Sequence, residues 1–565
     1  MSDTISFATS VETSRKSDQL NAQSVALTTQ QCTTDFSQYL VNYNKPSNPE
    51  LTLLFPDAAS IISHYFQLPT PLLVINSRHW LSAEQLLKQV IPSSLPTNYL
   101  LSYNQENLFG RLSLSNNGQL AFIDGQISTY HSGALILNIS PLLVNPNLWF
   151  MLKSVLQRGY LQASDAINAD KIKQALPDIT EQIIKTKIIL VANRFQLEEL
   201  IQIDPEYSQV SSLFCELASH VPLTQQSVDA VVSHCHNTIT DLALEPLDND
   251  ALSTLLNYLS IQSQHQQQLL FSPELIKKTL QYATLFNDNN RVDKADLIAY
   301  FKEIEQAQSL ARKYSEQSLL EGQVNLQLSG QKIGQINGLS VVELLGYPCE
   351  FGEIFRISAS DMIGDGEIID VERKVELAGN IHAKSTLIVQ GYLNHFFSHI
   401  NAIPYSCNLV FEQSYQESDG DSASLAILVA VSSCYAQFPV KQNIFVTGSL
   451  DQHGNVLAIG GINQKIEAVA RLFELDLVSE PVTIVIPQAN QINLTLNLTS
   501  LALIESGKIM IHGISHCHQA YPLLLGKTFE QVLKAINLRI DNAIKEEMGD
   551  ISQCWLARLK NAFFH

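Results

Sequence analysis

Two short segments in the last third of the chain carry residue types that can do chemistry together. Asp419-Gly420-Asp421-Ser422-Ala423-Ser424 opens one apolar run, and Gly460-Gly461-Ile462-Asn463-Gln464-Lys465 opens a second. A serine hydroxyl is a weak nucleophile until a base takes its proton, and a lysine amine is such a base only when uncharged. Ser422 precedes Leu425-Ala426-Ile427-Leu428-Val429, so it is expected at a helix start. Unpaired amides and the helix dipole favour negative charge there, which suits the oxyanion of a tetrahedral intermediate. Gly420 is expected to let the backbone bend tightly and to admit a substrate closely. The simpler reading of Ser422 is a helix N-cap. Lys465 falls in the first turn of the second helix, an end where a cation is disfavoured. If it is also desolvated, its pKa falls and the amine can act on Ser422; the simpler reading is a solvated surface lysine. His453 is the main competing base, and a polar turn between strands accounts for it as well.

The surrounding pattern predicts a multidomain chain of α/β and α+β units. Residues 1–50 are rich in Ser, Thr, Gln and Asn and read as a polar, partly mobile lead-in. From 51 to 245, short apolar runs (Pro71–Asn76, Ala134–Asn138, Lys187–Asn193) alternate with helical stretches, the signature of a mainly parallel sheet. Residues 246–320 carry helical periodicity without clear strands. From 321 to 526 the texture turns to α+β, with a helix expected over Ser422–Phe438 between strands at Cys407–Glu412 and Asn443–Ser449. A separate helix, Thr528–Lys545, and an amphipathic tail, Ile551–Phe564, occupy 527–565.

Composition narrows the function classes. The 565 residues allow three or four domains. A formal net charge of −20 argues against binding nucleic acid across the whole surface, since duplex affinity comes largely from Lys and Arg. The longest apolar stretch, Leu425–Val431, is far short of the roughly 20 residues a membrane span needs, and the polar N-terminus lacks a signal-peptide core. Eight scattered cysteines without CxxC pairs fit reduced thiols and a cytoplasmic location. His234-Cys235-His236 and His516-Cys517-His518 have metal-binding residue types, but adjacent ligands rarely close on one ion, so no metal is expected.

The order of motifs resembles one family. Asp419-Gly420-Asp421-Ser422-Ala423, then Thr447-Gly448, then Gly460-Gly461 with Lys465, is similar to the serine segment, TG strand and lysine segment of the Lon proteases. The serine-to-lysine separation of 43 residues is also similar. Gly334–Val341, Gly364-Asp365-Gly366-Glu367 and Gly379–Lys384 resemble the LonB-like and YcbZ-like branch. The resemblance implies a Lon-type proteolytic domain in which Ser422 is the nucleophile, Lys465 the general base and Thr447 an orienting neighbour, with Gly420 and Asp421 in support. It also implies a homo-oligomeric ring, a hexamer, acting on protein or peptide substrates.

Lon proteases couple the peptidase to an AAA+ ATPase, so the resemblance implies ATP and Mg²⁺. The phosphate-cradling loop G-x-x-x-x-G-K-[ST] is missing from the sequence. Gly133–Ile139 resembles the second nucleotide strand, but Asn138 and Ile139 stand where its acids belong, and a carboxamide is a poor substitute for a carboxylate on Mg²⁺. The expectation is therefore a degenerate AAA+-like domain at 51–245, a lid-like helical domain at 246–320, and no cofactor, the family's ATP and Mg²⁺ motifs being missing. Two alternatives remain open: a non-catalytic Lon-like scaffold or assembly factor, and an ATP-dependent protease with an atypical nucleotide site.

Overall fold

The computed structural model describes residues 24–41, 43, 50–114, 120–162, 165, 182–207, 210, 212–287, 290–374, 380–397, 403–413 and 420–545. Asp419, Gly379 and the tail segment Ile551–Phe564 lie outside them. The chain divides into two compact units, residues 36–263 with 267–301, and residues 1–35, 264–266 and 302–565.

The first unit is built on a five-stranded parallel sheet: β1 (Leu72–Ser77), β2 (Thr97–Leu100), β3 (Ala134–Asn138), β4 (Lys187–Ala192) and β5 (Ser212–Leu217), in the order β2-β3-β4-β1-β5. Apolar residues run continuously along the inner strands because both faces are covered. Leu73, Ile75, Ala134 and Ile136 face one core, while Leu72, Val74, Leu135 and Leu137 face the other. β1 runs into the helix α1 (Trp80–Val90) through Arg78 and His79 alone, with no glycine. At the end of β3, Asn138 Oδ1 accepts the Ser140 amide (2.9 Å). The helical stretch beyond 246 contains one short strand that sequence periodicity did not predict: Gln268–Leu270 pairs antiparallel with His220–Pro222. A three-residue run is too short to leave a periodic signal.

The second unit holds a seven-stranded mixed sheet. Its strands are β6 (Gln335–Val342), β7 (Phe351–Ile363), β8 (Ile368–Asp370), β9 (Tyr405–Glu412), β10 (Ile444–Val446), β11 (Val482–Pro487) and β12 (Ile509–Ile514). They are ordered β8-β9-β7-β6-β10-β11-β12, with β6, β7 and β9 antiparallel neighbours and β6, β10, β11 and β12 parallel. Two helices cover opposite faces. The helix α2 (Ser424–Ala436) packs with Ile444, Val446 and Val485, and the helix α3 (Ile462–Glu474) packs with Phe445, Ile484 and Ile486. Every residue of α2 is buried, as befits a helix apolar on all sides. Its hydroxyls are satisfied internally: Ser433 Oγ accepts the Gly334 amide (2.9 Å), and Ser432 pairs with the Tyr521 hydroxyl (2.9 Å).

Three boundaries differ from those expected. Part of the polar lead-in belongs to this unit: the Leu27 amide donates to Ile511 (2.8 Å), and Cys32 is fully buried beside α3. Residues 302–320 belong here as well, although helical periodicity groups them with the preceding helices. Residues 529–545 form a helix that is no appendage, since Phe529, Val532, Ile536 and Ile540 complete the core around α2. In each case a tertiary contact, invisible to local pattern, decides the boundary.

Candidate active site

The two motif segments converge where the layers meet, at the carboxyl end of β10. α2 brings Ser422 from one face and α3 brings Lys465 from the other, with Thr447 just beyond the strand end between them. Lys465 Nζ lies 3.0 Å from Ser422 Oγ and 3.3 Å from Thr447 Oγ1. The backbone fixes this meeting: the Gly448 amide donates to the Ser422 carbonyl (2.7 Å), the Leu425 amide to the Gly448 carbonyl (3.1 Å), and the Thr447 amide to Val485 (3.1 Å).

Ser422 does not cap its helix. The N-cap position is Ala423, which makes no side-chain capping bond, and it is the Ser424 hydroxyl that bonds the Asp421 carbonyl. The Ser422 hydroxyl is thus left for Lys465. A Cβ at Gly420 would meet nothing within 4 Å among the described residues. Asp421 Oδ2 accepts from the Ser449 hydroxyl (2.7 Å).

Lys465 is not a solvated lysine. Only 3% of it is exposed, and burial pushes its amine down from 10.5 to about 8, against a smaller upward pull from the Asp421 carboxylate. The start of α3 is held by a left-handed Gly461 (φ 63°) whose Cβ would fall 2.3 Å from Val341 Cγ2. Asn463 pins it further, donating to the Asn493 carbonyl (2.9 Å) and accepting the Thr495 amide (2.9 Å).

His453 is an exposed turn residue whose amide donates to Asp451 Oδ1 (2.8 Å), and the bonds described for it run to that turn and to His516. His234-Cys235-His236 lies within the helix Gln225–Asp241, where successive side chains diverge around the axis. His516, Cys517 and His518 come closer than their adjacency suggests, with ligand atoms within 4.8 Å of one another. Those atoms are engaged, however. His516 Nδ1 accepts the His518 amide (3.2 Å), and the Tyr392 hydroxyl meets both His518 Nε2 (2.9 Å) and Cys517 Sγ (3.2 Å). Sequence reasoning missed Ser449, the partner of Asp421, which carries no motif of its own.

Residues 323–496 match the Lon protease (S16) C-terminal proteolytic domain, and residues 97–217 match the LonB-like AAA domain. A Lon protease homolog of Escherichia coli is 32% identical over 524 residues, covering 90% of this chain and 86% of that protein. The chain belongs to the Lon protease family. A Lon protease homolog of Haemophilus influenzae is 33% identical over 75% of this chain and 70% of its own length. An archaeal Lon protease of Methanocaldococcus jannaschii is 48% identical over a shorter stretch of 84 residues, 15% of this chain and 12% of its own. The Lon-type proteolytic domain is thus the one that carries Ser422 and Lys465, and the LonB-like AAA domain lies within the β1–β5 sheet unit. No helix among the described residues is long and apolar enough to cross a membrane.

Proposed function

We propose that this Lon-family chain is a serine endopeptidase working through a Ser422–Lys465 dyad, with an idle nucleotide motor. The observation that carries the reading is a desolvated amine 3.0 Å from a serine hydroxyl. An amine with its pKa near 8 is neutral in a usable fraction at physiological pH and accepts the Ser422 proton as Oγ attacks the scissile carbonyl. The Ser424 and Leu425 amides are engaged by carbonyls, and the oxyanion is assigned to the backbone amides at Ser422 and Ala423, beside the nucleophile. Lys465, now an ammonium, returns the proton to the leaving amine. Water then hydrolyses the acyl ester on Ser422, with Lys465 again taking a proton. Thr447 Oγ1 aims the amine from the side. A serine-directed fluorophosphonate should label Ser422 in the purified protein, and casein should be cleaved. Absence of both reactions in folded protein would remove the reading.

The motor is assigned as inactive because its residues do not fit nucleotide. A two-residue connection from β1 to α1 has neither the length nor the glycines to wrap phosphates with backbone amides. Asn138 supplies a carboxamide, already bonded to Ser140, where Mg²⁺ needs a carboxylate. ATP with Mg²⁺ should therefore neither be hydrolysed nor raise the melting temperature. Magnesium-dependent turnover lost on substitution within 51–245 would restore the ATP-dependent alternative. Without a motor the substrates are unfolded, flexible or partner-delivered proteins. A homo-oligomeric ring, taken as a hexamer, and a cytoplasmic location complete the proposal on family resemblance.

A further inference from the structure

The helix that carries the proposed base is fastened on its outer side by a cluster of charges. Arg471 lies six residues beyond Lys465 on α3. Its Nε is 3.3 Å from Glu316 Oε1 on the helix Leu310–Leu320, and its Nη2 donates to the Gly352 carbonyl (2.9 Å). Gly352 in turn is pressed on the base's own backbone. A Cβ at 352 would fall 2.1 Å from the Gln464 carbonyl oxygen and 3.0 Å from the Lys465 nitrogen. Arg312 shares Glu316 (3.2 Å) and pairs with Glu305 (2.8 Å), and Glu467 faces Arg471 from one turn earlier. Arg471 and Glu316 expose only 11% and 18% of their side chains. Charges withdrawn this far from water are costly to keep, and apolar packing would hold two helices together as well.

We propose that Arg471, held by Glu316, is a positioning residue for Lys465: it seats Gly352 against the Gln464–Lys465 backbone and so fixes where the amine stands relative to Ser422. The proposal rests on the dyad reading above. It makes the helix Leu310–Leu320 a lever on the base, since displacing Glu316 releases Arg471, then Gly352, then the first turns of α3. The charged group facing Lys465 itself is Asp421, which this link does not touch.

The test compares the full-length chain with Arg471→Gln, Glu316→Gln and the double variant, using a fluorogenic casein-derived peptide. Each single variant should lose roughly tenfold in kcat with KM little changed, because a misplacement of well under an ångström costs that much. The acid limb of the kcat/KM profile should move to higher pH, as water re-enters around a loosened amine. The double variant should lose no more than the worse single one, since both break one link. The limb position is independent of how much protein is folded, so a misfolding variant still reports. An unmoved limb, or single losses that multiply in the double variant, overturns the proposal. Wild-type protein whose Ser422 takes no fluorophosphonate sinks the dyad reading itself. Labelled wild type with unmoved limbs in the variants sinks the positioning role alone.

Discussion

Lys465→Met should yield a protein that is catalytically silent and at the same time harder to unfold. The loss follows from chemistry: removing a general base costs about 10²–10⁴-fold in rate. The gain follows from burial. An amine whose pKa drops from 10.5 to about 8 on folding carries a penalty that is complete below pH 8. The unfolded chain binds more protons between those two values, so wild-type stability rises with pH across that window. Taken at face value the shift corresponds to about 3 kcal/mol, and a realised gain of about 1–3 kcal/mol is expected at neutral pH. Methionine is similar in length, apolar and suited to a dry site. Denaturation followed on the unit containing α3 should show the variant ahead at pH 7 and the difference shrinking toward pH 10. Retained peptidase activity in this variant would end the case for Lys465 as base.

The pH profile of the wild type is the second large effect. If the neutral amine is the reacting form, kcat/KM should climb about tenfold per pH unit up to a limb near 8. From pH 6 to pH 8 the rise is about fiftyfold, because half the amine is still charged at the limb itself. Asp421 gives this expectation a sign that other bases do not share. Its carboxylate favours the ammonium and holds the Lys465 pKa up, so Asp421→Asn should shift the limb to lower pH. His453→Ala should leave the limb where it is. A limb that disappears with His453 would transfer the role to the histidine.

The proposed reacting pair was legible because both segments are local: a serine just after a turn and a lysine after paired glycines each announce a helix start. Their meeting was not, because it depends on two helices lying on opposite faces of one sheet. The bland alternatives failed for reasons no sequence window contains. Ser424 and Ala423 take the helix-start positions that Ser422 could have filled, and tertiary packing leaves only 3% of Lys465 exposed. The link through Arg312, Glu316, Glu467 and Arg471 joins residues far apart along the chain and has no periodic signature at all. The same holds for Cys32 and for Phe529 to Ile540, polar-flanked or terminal segments whose place in the core only tertiary packing reveals.

Because the serine hangs from one layer of the sheet and the lysine from the other, the proposed dyad forms only once both layers have docked. A chain still leaving the ribosome, or one that has shed either layer under heat, presents an ordinary alcohol with nothing to deprotonate it. On the proposed mechanism the sandwich thereby acts as an AND gate on its own assembly, and half-built copies would be harmless to their neighbours.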